Sequence, residues 1–158
     1  MLLKIDNYLL GINNKLLFII ALFCFAIFIT LPLNLFLEFF NYKLESPHLK
    51  EENSLLQFFT IVIFVPILET LIFQVGIIKL VLYFFENKKA AIITSATLFA
   101  LSHPYGPFYI LYTFIIGLYF VYIYFLSLRK NTSPFISIFI VHALFNFTFY
   151  ILNYHIIS

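Results

Sequence analysis

The chain has 158 residues, 63% of them hydrophobic and only 10% charged, with a net charge of +2, and its mean hydropathy of +1.04 lies well above that of water-soluble domains. This excludes an ordinary soluble domain and a disordered chain, and the few basic residues are too scattered to suggest a nucleic-acid-binding surface. What remains is an integral membrane protein whose chemistry must be built inside its spans, because the longest polar interval, residues 41–54, is too short for a soluble domain.

The N-terminal stretch MLLKIDNYLLGINNK is short and mildly amphipathic, and residues 16–37 then have the length of a full crossing, roughly 20 residues. That apolar run is too long for a signal-peptide core and no small-x-small cleavage site follows it, so it is expected to be a retained first helix. Cys24 lies within it with no second cysteine to pair with, and is read as a packing residue. The charged loop NYKLESPHLKEEN follows. Four further apolar blocks, residues 55–85, 90–102, 108–128 and 135–152, are separated by ENKK, HPYGP and RKNTSP. The expected fold is therefore all-α, a polytopic transmembrane helical bundle of about five spans. Residues 1–54 supply an N-terminal segment, first transmembrane helix and outer loop, and residues 55–158 a core of four transmembrane segments.

The block 55–85 corresponds to ~46 Å of helix, too long for one upright span, and Pro66 offers a kink within it. The block 90–102 is too short to cross alone and ends in His103-Pro104-Tyr105-Gly106-Pro107. Its turn is expected at depth, where irregular backbone is tolerated only against protein or a wet cavity. With the N-terminus inside, the cytosolic segments carry Lys4, Lys15, Lys88, Lys89, Arg129 and Lys130. The outer ones hold Lys43 and Lys50 among Glu45, Glu51 and Glu52. This bias predicts a multi-pass protein of the plasma membrane with a cytoplasmic N-terminus.

Glu69 interrupts the run 55–85, and an intramembrane carboxylate is costly enough to need a function. Thr70, Gln74, His103, His142 and Asn146 are the other conspicuous polar groups within the spans. Counted at 1.5 Å per residue from the cytosolic helix ends, Glu69 lies ~24 Å up, His103 ~20 Å, His142 ~12 Å and Asn146 ~18 Å. They converge on one layer near mid-bilayer. Thr70 with Gln74, Phe99 with His103, and His142 with Asn146 are each four apart and share a helix face. Singly, an intramembrane His or Asn is most often an interhelical hydrogen-bonding device; their joint occurrence around a carboxylate favours a site. Tyr105 and Phe108 read as packing or interface residues. His48 and His155 receive no role, and the sequons at Asn131 and Asn146 are read as chance.

Glu69-Thr70-Leu-Ile-Phe-Gln74, Phe99-Ala-Leu-Ser-His103 and His142-Ala-Leu-Phe-Asn146 resemble, in order and spacing, the three motifs of the CPBP family, the CAAX-protease and bacteriocin-processing membrane proteins also called ABI. The resemblance covers roughly residues 55–154. It departs from the family pattern at Thr70, in place of a second glutamate, and at Gln74, in place of an arginine; these are expected to face each other as a neutral hydrogen-bonding pair. The resemblance implies a glutamic-type intramembrane endopeptidase. In it Glu69 would deprotonate a water positioned by His103, and His142 and Asn146 would donate hydrogen bonds to the oxyanion, with Thr70, Gln74 and Phe99 in support. No cofactor is expected. Glu69, His103 and His142 could also form a zinc set, but they lack the local spacing of zinc helices. The implied partners are a peptide or protein substrate reaching the site from the membrane or cytosol, and the lipid bilayer. Two other classes compete: a non-catalytic protein on the same scaffold, for bacteriocin immunity or partner binding, and a transporter, which the absence of an inverted repeat disfavours.

Overall fold

The computed structural model describes residues 2–39 and 54–157, and every element among them is helical. The outer loop with Lys43, Glu45, His48, Lys50, Glu51 and Glu52 lies outside the described residues, as does the side chain of His155. The helices are α1 (Leu2–Gly11), α2 (Lys15–Phe39), α3 (Leu55–Phe85), α4 (Lys88–Leu101), α5 (Pro107–Arg129) and α6 (Pro134–Ile157). Four of them, α2, α3, α5 and the described part of α6 to Leu152, are long and apolar enough to cross a membrane. The fifth apolar block forms α4, whose 14 residues reach only ~21 Å, as its length predicted.

Each turn is written in local chemistry. The Asn14 side chain accepts from the amides of Leu16 (2.9 Å) and Leu17 (3.2 Å) to start α2, and Asn87 accepts from Ala90 (3.0 Å) to start α4. Gly106, at φ 135°, takes a backbone conformation that side chains resist and turns the chain into α5, whose first residue is Pro107.

The centre of the bundle is α5. Its most apolar stretch is 61% buried, against 22%, 28% and 33% for the corresponding stretches of α2, α3 and α6. The outer helices turn large apolar side chains such as Phe28, Leu35, Phe64, Leu71 and Phe84 outward, as a lipid-facing surface requires. Cys24 belongs to that outward face: it is exposed, and the expectation of a packing residue is corrected. Hydropathy alone does not tell the two faces of a uniformly apolar helix apart. Helices α4 and α5 approach closely at Gly117, where a Cβ would stand 3.1 Å from both the Ala96 Cα and the Phe99 ring.

Around Pro66 helix α3 departs from regular α-helix. The chain stays helical from Leu55 to Phe85 but widens into π-helical turns at Thr60–Phe64 and Thr70–Ile77. In the first, the Val65 amide bonds the Thr60 carbonyl five residues back. This widened turn runs up to Pro66, whose missing amide hydrogen breaks the ladder just beyond it.

At one end the basic residues gather. Asp6 of α1 accepts from Tyr122 (2.8 Å) and pairs with Arg129, both on α5; Lys130 donates to the Leu10 carbonyl (2.9 Å) and lies over the Phe18 ring (4.9 Å), and Lys88 lies over Phe125 (4.2 Å). Burial pushes the Asp6 carboxyl up, but the hydrogen bonds from Tyr122 and Arg129 and the charge of Arg129 outweigh it and hold it below its ordinary value.

Candidate active site

Glu69 sits on α3 between Pro66 and the second widened turn. His103 stands just past the C-terminal end of α4, and His142 on α6. The three meet: His103 Nε2 lies 3.3 Å from Glu69 Oε1 and His142 Nε2 lies 3.6 Å from Glu69 Oε2, so the two imidazoles address the two oxygens of one carboxylate. The Glu69 and His103 side chains keep 16% exposure each and His142 5%, so the group is sheltered but reachable.

The orientation of His103 follows from where α4 ends. The last carbonyls of a helix have no partner within it, and His103 Nδ1 lies 2.8 Å from one of these, that of Phe99, with the Ser102 hydroxyl 3.1 Å away. A carbonyl only accepts, so Nδ1 carries the proton and a neutral His103 presents a lone pair at Nε2. Two acceptors would then face each other across 3.3 Å unless a proton lies between them. The His103–Glu69 contact is thus built to hold and pass one proton. His142 differs: its Nδ1 is buried with no hydrogen-bond partner, and its Nε2 faces the carboxylate.

Aromatic rings fix both imidazoles. Phe99 lies 4.9 Å from the His103 ring and 6.0 Å from His142, and Phe120 of α5 lies 4.7 Å from His142 and 5.8 Å from Phe99. The Tyr109 ring stacks on His103 (6.1 Å, 19°), and Tyr105 packs edge-on against His103 (6.2 Å) and Tyr109 (5.0 Å). Tyr105, expected only to pack, borders the site, and so do Phe120 and Tyr109, which nothing in a sequence with 23 Phe and 11 Tyr sets apart.

The expected Thr70–Gln74 pair is absent. The Thr70 hydroxyl is buried without a partner, and the Gln74 amide oxygen takes the Ser95 hydroxyl of α4 (3.0 Å), which also meets the Phe73 carbonyl (2.9 Å). Both residues lie in the widened turn Thr70–Ile77, where hydrogen bonds run to the fifth residue and the regular four-residue stacking does not hold. Asn146 also points elsewhere: its Nδ2 donates to the Ile61 carbonyl of α3 (3.0 Å). Among the described residues, no group of three or more His, Cys, Asp or Glu side chains is arranged to hold a metal ion.

Residues 51–148 match the family model described as Rce1-like, type II CAAX prenyl endopeptidase Rce1-like. The matched stretch runs from the start of α3 into α6 and contains Glu69, His103, His142 and Asn146; α1 and α2 precede it. No curated protein and no solved structure matches the chain.

Proposed function

We propose that this chain, which belongs to the Rce1-like family of type II CAAX prenyl endopeptidases, is an intramembrane endopeptidase in which Glu69 activates the attacking water. One observation carries the reading: the two imidazole Nε2 atoms on the two oxygens of Glu69, at 3.3 and 3.6 Å. A water bound beside the Glu69–His103 pair, whose shared proton rests on His103, loses its proton to the carboxylate and attacks the carbonyl carbon of a peptide bond. His142 donates to the oxygen that becomes negative, and the proton taken up by Glu69 passes to the leaving amine as the C–N bond breaks. The substrate is a peptide or protein segment arriving from the bilayer or its cytosolic face. The test is a screen of the detergent-purified chain against a peptide library. Cleavage by wild type and none by Glu69→Gln is expected, and cleavage that survives the substitution sinks the reading.

A second reading, a non-catalytic membrane protein on the same scaffold, draws on Gln74, which is turned to Ser95 and spent on holding α3 to α4. It predicts no cleavage by wild type and a loss of thermal stability with every substitution in the layer. For the setting, we propose the plasma membrane with a cytoplasmic N-terminus, supported by the gathering of Lys88, Arg129 and Lys130 at the α1 end. Labelling of a cysteine at position 88 from outside intact cells, in a Cys24→Ala background, would reverse it.

A further inference from the structure

The widened turn at Thr60–Phe64 creates a specific vacancy in the backbone ladder. Val65 donates to Thr60, five residues back, so in the same register the amide of residue 66 would donate to the Ile61 carbonyl. Residue 66 is proline and has no amide hydrogen. The Ile61 carbonyl is left over inside an apolar bundle, where an unmet acceptor is costly. Asn146 of α6 meets it, at 3.0 Å.

We infer that Asn146 is a positioning residue that locks the widened turn of α3 in register and thereby aims Glu69 at the two histidines. The inference rests on the endopeptidase reading for its effect on turnover, but not for the lock itself. Its leverage is geometric. A π-turn holds one extra residue, and one residue corresponds to roughly 100° of rotation on a helix. If the turn closed to regular register, the part of α3 that bears Glu69 would rotate by about that angle relative to the part that precedes it. A carboxylate swung so far loses contacts of 3.3 and 3.6 Å. Asn146 shares α6 with His142, one turn away, so a single helix presents one imidazole to Glu69 and also fixes the backbone that carries Glu69.

The lock predicts a rescue that an oxyanion donor does not. The full chain in detergent is compared as wild type, Asn146→Ala, Pro66→Ala and the double variant, using a peptide found in the library screen. Asn146→Ala should lower kcat by roughly 10²-fold or more, since a misplacement of even about 1 Å costs that much, with KM little changed, and should speed amide hydrogen exchange over residues 60–69. Adding Pro66→Ala supplies the missing amide hydrogen, so the double variant should regain turnover and exchange protection. If the double variant is no more active and no better protected than Asn146→Ala, or if Asn146→Ala costs turnover while exchange over residues 60–69 is unchanged, the lock is overturned. Should Asn146→Ala fail to fold, recovery of folded protein in the double variant supports the lock and its absence there overturns it. If wild type cleaves nothing, the endopeptidase reading fails alone, because the exchange comparison still decides the lock.

Discussion

Two regions of this bundle hold acids against bases, and they differ in how far the bases are exposed: Arg129 at 48%, His103 and His142 at 16% and 5%. Around Glu69 of α3 the partners, His142 of α6 and His103 past the end of α4, are nearly dry and backed by Phe99 and Phe120. At the basic end Asp6 meets Arg129 and Tyr122, with the Arg129 side chain 48% exposed. In water such a pair gains little because solvent competes for both charges; in a dry layer every polar atom must be met within the protein or left unmet at full cost. The difference teaches that the wet end fastens α1 reversibly, whereas the dry layer sets positions that cannot be improvised.

The largest expected effect comes from breaking the dry layer at its centre. Glu69→Gln keeps shape and hydrogen-bonding capacity but removes the base, so turnover should fall by the roughly 10²- to 10⁴-fold of a lost general base while the thermal midpoint stays or rises, because a buried charge is gone. His142→Ala should cost roughly 10²- to 10³-fold in kcat as a lost oxyanion donor. Parallel losses of stability and turnover in both variants would instead mark a structural layer. Kinetics and thermal scans on the same preparations separate the two outcomes.

A smaller effect sharpens the contrast within the layer. Ser95 gives its one hydroxyl proton to the Phe73 carbonyl and the Gln74 amide oxygen. Ser95→Ala strands both acceptors in a dry place and should destabilise by about 1–3 kcal/mol. Gln74→Met removes an amide whose Nε2 already lacks a partner, so its cost should be near zero or negative. Thermal midpoints of the two variants should therefore move apart; equal losses would show that Gln74 is satisfied in a way these contacts do not capture.

The legibility of these regions in the sequence follows the same divide. Span lengths, the short α4 and the convergence of Glu69, His103 and His142 were readable, because hydropathy sets the spans and a fixed rise per residue sets depth. The Thr70–Gln74 pairing failed because four-residue stacking assumes a regular helix, and residues 70–77 are π-helical. Pro66 was visible in the sequence, but the carbonyl it strands and the Asn146 that meets it lie 85 residues apart in the chain, a pairing that only the packed bundle reveals. The exposure of Cys24 is not legible, because a helix apolar on all sides carries no mark of its lipid-facing side.

The smallest expected effect belongs to the wet end, and its pH dependence is fixed in sign. The folded Asp6 carboxyl sits below its ordinary value of 3.8, because the hydrogen bonds from Tyr122 and Arg129 and the charge of Arg129 favour its ionised form more than burial opposes it. A group depressed on folding contributes stability that is fully present above its unfolded value and is lost as pH falls through the folded one. The Asp6 contribution should thus be constant from neutral pH down to about 4 and fade below that. For an exposed pair its size should be about 0.2–1 kcal/mol, reduced further by salt. Asp6→Asn should lower the thermal midpoint slightly at pH 7, the gap to wild type should narrow below pH 4 and in high salt, and turnover should barely change, because this end lies a helix length from Glu69. A large loss of turnover in Asp6→Asn would break the comparison: it would mean that the fastening of α1 reaches the dry layer, and that the two regions are not independent.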